Sequence, residues 1–116
     1  MHSSEKIDKH IKRRIEMAET KNKPADIIYP QMLLKTTETV APLSYGIAHL
    51  ITKVEEDVSK QILSLAATLI CMLQKYDLNH IDVLSIAENI VHSDDYNNMQ
   101  PAFKTIMNTF KDKEEI

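Results

Sequence analysis

The stretch Ile62-Leu63-Ser64-Leu65-Ala66-Ala67-Thr68-Leu69-Ile70-Cys71-Met72-Leu73 decides how the rest of the chain is read. Its only polar residues, Ser64 and Thr68, stand four apart and so share one side of a helix. A helix that is apolar on nearly every other side must be surrounded on most sides. The expectation is a central helix over roughly 57–76, hidden from water by neighbouring helices or at the seam of an oligomer. The run is far shorter than the roughly 20 residues needed to cross a bilayer, so no membrane association is expected.

Upstream, Leu43, Ile47, Leu50, Ile51, Val54 and Val58 keep one face, and Ile62, Leu65, Leu69, Met72, Leu73 and Tyr76 continue it. No Gly or Pro interrupts residues 47–76. One rod of roughly 50 Å could span this stretch at about 1.5 Å per residue. The alternative is two helices meeting near Glu55-Glu56-Asp57, where Asp57 suits a helix N-terminus. A small domain has little use for so long a rod, so a break is expected there.

Downstream, Asp77-Leu78-Asn79 reads as a short connection, with Asn79 capping a helix to about Val91. Val83, Leu84, Ala87, Ile90 and Val91 form its apolar face. A polar loop follows from His92 to about Asn98. Met99, Phe103, Ile106, Met107 and Phe110 then mark a last helix with Pro101 near its start, and a frayed tail is expected from Lys111 to Ile116.

The N-terminal part is less regular. Ser3 or Ser4 can cap a helix to about Thr20, with Ile7, Ile11, Ile15 and Ala18 as a narrow apolar stripe. Thr20 to Asp26 reads as a linker. Pro30 disfavours helical geometry at Tyr29 and suits a first turn, so a short helix is expected from about Pro30 to Glu38, and Pro42 is expected to start the next.

Composition agrees with an all-helical reading. The 116 residues are 43% hydrophobic and 27% charged, in the range of folded globular chains. Gly46 is the only glycine, and the tight turns of a sheet protein usually require several. The fold class expected is therefore all-α: a small bundle of about five helices around the central apolar one, with residues 1–116 forming a single domain.

Charge is unevenly spread. Residues 1–23 hold seven Lys/Arg against four Asp/Glu, while the whole chain carries −3. Lys6, Lys9, His10, Arg13 and Arg14 make a basic face on the first helix, which is expected to lie on the surface or protrude. Phosphate backbones or an acidic protein surface would suit that face. The net acidic balance and the lack of interleaved aromatics disfavour nucleic acid.

Catalytic constellations are missing. Glu16 and Glu19 form a Glu-x-x-Glu, but the Glu-x-x-Asp that completes a magnesium site in all-helical nucleotide pyrophosphohydrolases has no counterpart. Glu88 and His92, four apart with Asp94 and Asp95 just beyond, are the best metal candidate, but no Glu-x-x-His or His-x-x-x-His accompanies them, and a surface ion pair at a helix C-terminus is the simpler reading. Cys71 is expected to be a buried, inert thiol, and His49 a hydrogen-bonded core histidine. Gly-rich phosphate loops are impossible with one glycine. No cofactor and no metal is expected.

The leading expectation is a non-enzymatic helical interaction or regulatory protein that binds a protein partner and forms a homo-oligomer. Ile27, Ile28, Tyr29, Met32 and Leu33, with Leu34, form an apolar cluster around a proline that could seal a dimer. The alternatives are a small all-α, metal-dependent nucleotide-binding or nucleotide-hydrolysing protein, and electrostatic nucleic-acid binding through the first helix. The opening residues lack the apolar stretch of a secretory signal, and one cysteine fits a reducing compartment, so a cytoplasmic location is expected. Ile/Lys/Asn-rich usage hints at an AT-rich bacterial or phage source.

Overall fold

The computed structural model describes residues 23–92 and 98–116. The expected first helix and basic face, Lys6, Lys9, His10, Arg13 and Arg14, fall outside the described residues, as do Glu16 and Glu19. The described residues contain five α-helices and no strand: α1 (Pro24–Leu33), α2 (Thr37–Val54), α3 (Val58–Lys75), α4 (His80–His92) and α5 (Pro101–Met107). A 3-10 turn, Lys113–Glu115, sits in the tail.

The break between α2 and α3 falls where the acidic triplet placed it. Asp57 Oδ1 accepts from the Ser59 backbone N–H at 2.9 Å and the Ser59 hydroxyl at 2.6 Å, capping α3. Those bonds, the hydroxyl's first, hold the Asp57 carboxyl below its usual pKa. Glu55 and Asp57 both have extended backbone, which interrupts the helix between two 18-residue helices. The buried Gln61 side chain donates to the Glu55 carbonyl, an acceptor that the end of α2 would otherwise leave unpaired.

The other end of α3 is closed by a motif that glycine counting misses. Leu78 N–H donates to the Leu73 carbonyl at 2.8 Å and Asp77 N–H to the Gln74 carbonyl at 3.3 Å. This is the Schellman pattern, with Asp77 in the left-handed position that glycine usually fills, at φ 55°. Asn79 then caps α4, its Oδ1 accepting from Ile81 N–H at 2.8 Å.

Two proline expectations are corrected. Pro30 and Pro42 do not start helices; both lie inside them. For α1 the first-turn proline is Pro24, so the expected linker is already helical from that residue. For α2 the start is set earlier by Thr36, whose N–H donates to Thr39 Oγ1 at 3.1 Å, and the helix runs through Pro42. Pro101, by contrast, opens α5 as expected.

Packing is where the sequence reading fails most. The buried cluster is Ala41 and Ala48 of α2 with Phe103 and Ile106 of α5, joined by partly buried Val40, Ile90, Val91, Met99 and Phe110. In α3 only Gln61 and Leu73 are buried. The expectation that Ile62–Leu73 is hidden by the rest of the chain is therefore corrected: Ile62 is 60% exposed, Leu63 68% and Ile70 52%. The radius of gyration, 20.1 Å, far exceeds the roughly 13 Å of a compact chain of this length. Helices are present as expected, but the described residues do not close around α3.

Candidate interaction surface

Helix α2 is apolar on two opposite sides. At about 100° per residue, Ala41 and Ala48 share one side, and Leu43, Ile47, Leu50 and Val54 fall within roughly 60° of arc on the other. The first side is covered by α5. The second faces water, with Leu43 71%, Leu50 65% and Val54 68% exposed. Small side chains on the inner face let Phe103 and Ile106 seat closely, so the larger aliphatic residues are left outside.

Helix α3 repeats the arrangement less strictly. Val58, Leu65, Leu69 and Leu73 are partly or wholly buried, while Leu63, Ala67 and Ile70 are exposed and lie towards the far side. A groove of about 450 Å³ opens between α3 and α4, lined by Ala66, Leu69, Ile70, Leu73, Leu78 and Leu84. A second hollow of about 590 Å³ lies between α2 and α5, bordered by Thr37, Ala41, Pro42, Tyr45, Pro101 and Ile106.

The apolar cluster expected around Pro30 is divided. Ile28, Tyr29 and Met32 turn partly inward, and the Tyr29 hydroxyl accepts from the Asn79 N–H at 2.7 Å, tying α1 to the start of α4. Ile27, Leu33 and Leu34 remain exposed, the last two at 71% and 79%. Thr37 makes a further tie by donating its hydroxyl to the Ile90 carbonyl at 2.9 Å.

Two side chains are corrected outright. Cys71 is exposed on α3 and is not a buried thiol. His49 is exposed on α2, where its ring meets that of Tyr45 edge-on at 4.3 Å between centroids, and it is no core histidine. Both errors follow from assigning the outer faces of α2 and α3 to the interior.

Chemistry at this surface is sparse. Among the described residues, no group of three or more His, Cys, Asp or Glu is gathered as a metal site would need, so Glu88 and His92 gain no third ligand there. The lowered pKa of the Asp57 carboxyl is accounted for by its capping bonds. Among the described residues no helix is long and apolar enough to cross a membrane. No protein-family model, curated protein or solved structure matches the chain.

Sequence reasoning named the members of the outer stripe but put them on the same face as the core. What it lacked was the identity of the inner residues. Alanines carry little hydrophobic signal, yet Ala41 and Ala48 are the residues around which α5 packs.

Proposed function

We propose that this chain is a helical interaction protein, acting by binding other macromolecules and associating with itself. The observation that carries this reading is the water-facing apolar stripe Leu43, Ile47, Leu50 and Val54, turned away from the side that α2 packs inside the chain. Contiguous apolar surface of this kind on a monomer is a recurrent mark of an interaction site. The accessible surface, 9443 Å², is well above the roughly 6,500 Å² of a compact monomer of this mass.

A regulatory role in the cytoplasm fits the same reading. Exposed Cys71 would cross-link chains in an oxidising compartment, whereas a reducing one leaves it a thiol. Light scattering at two protein concentrations tests self-association. The expected mass approaches twice 13.3 kDa as concentration rises. A single-chain mass at every concentration removes self-association from the proposal.

A further inference from the structure

Building on the self-association proposed above, we infer that the outer stripe of α2 is covered by the same stripe of a second copy, the two helices running antiparallel. The spacing of Leu43, Ile47, Leu50 and Val54 is four, three, four, which is the a/d spacing of helices packed at a shallow angle. The stripe is also self-complementary about its midpoint. An antiparallel pair centred between Ala48 and His49 sets Leu43 of one copy against Val54 of the other, and Ile47 against Leu50. A two-fold axis then makes every contact twice, as a closed dimer requires.

The helix dipoles select the direction. A parallel pair aligns the dipoles of its two helices, whereas the antiparallel pair opposes them and sets the positive end of each α2 beside the negative end of its partner. Area points to a second copy as occupant. The exposed side chains of Leu43, Ile47, Leu50 and Val54, with Leu63 and Ile70 on the outer side of α3, offer roughly 600 Å² per copy, approaching the roughly 800 Å² per partner of a standard interface. Helix α2 alone falls well short of that, so the inferred interface takes in the outer side of α3 as well.

Cysteine cross-linking in a Cys71→Ser background tests the pairing. Leu43→Cys and Val54→Cys chains are made separately, mixed, and oxidised under mild conditions. The expected result is a disulfide dimer in the mixture and little in either variant alone, because like positions lie roughly 16 Å apart along an antiparallel pair. Efficient cross-linking of each variant with itself would mean parallel pairing and would overturn the inference. Dimeric mass by light scattering with no cross-link in any combination also overturns it, while leaving self-association standing. Monomeric mass overturns both.

Discussion

Helices α2 and α3 are each 18 residues long, and the one with the longer apolar run is not the one at the centre. Helix α3 carries the longest apolar run in the chain, yet buries only Gln61 and Leu73. Helix α2 contributes Ala41 and Ala48 to the core with Phe103 and Ile106. The difference shows that apolar content tells how much of a helix must be covered, and not which element covers it. Close approach depends on small residues at the contact, and α2 has them where α5 meets it.

This comparison can be broken most forcefully at the α2–α5 contact. Phe103→Ala is expected to cost about 3–5 kcal/mol, because an aromatic ring that is 7% exposed leaves a cavity that its neighbours only partly fill. Urea unfolding measures it, and a loss under about 1 kcal/mol would deny α5 its role in the core. On α3, Leu73→Ala is expected to cost about 2–5 kcal/mol, at every protein concentration, because Leu73 is covered by its own chain.

Outer-face changes should behave differently. Leu50→Glu is expected to weaken self-association at least tenfold while leaving helix content by circular dichroism within a tenth of the parent at high concentration. The charge meets water in the monomer and an apolar partner in the dimer. Equal destabilisation at all concentrations would instead place Leu50 inside one chain.

The smallest effects sharpen the boundaries of α3. Asp77→Gly is expected to stabilise the fold by roughly 0.5–1 kcal/mol, since glycine adopts the left-handed C-terminal position without strain. Asp57→Asn weakens the N-terminal cap, and its sign with pH is fixed. The folded carboxyl titrates below its ordinary value, so the stabilisation is full above that value and lost as pH falls through the folded pKa. Thermal melts of parent and variant should therefore converge at low pH and separate near neutrality.

Much of the fold was legible because helix ends are written locally. Asp57 and Asn79 cap as their side chains dictate, and Pro101 opens α5. Pro30 and Pro42 misled because a proline near the start of a helix and one inside it look alike until the true start is known, here Pro24 for α1 and Thr36 for α2. The end of α3 was hidden by Asp77 standing where glycine is usual. The interaction surface was only half legible: the stripe on α2 is plain in the spacing, but which side of the helix faces inward depends on two alanines and on a helix some 60 residues later.

Amide exchange across residues 62–73, followed at two protein concentrations, tests the central claim most directly. If a second copy covers the outer sides of α2 and α3, protection should be substantial and should rise with concentration. Exchange there as fast as at the chain ends, unchanged by concentration, would contradict the account.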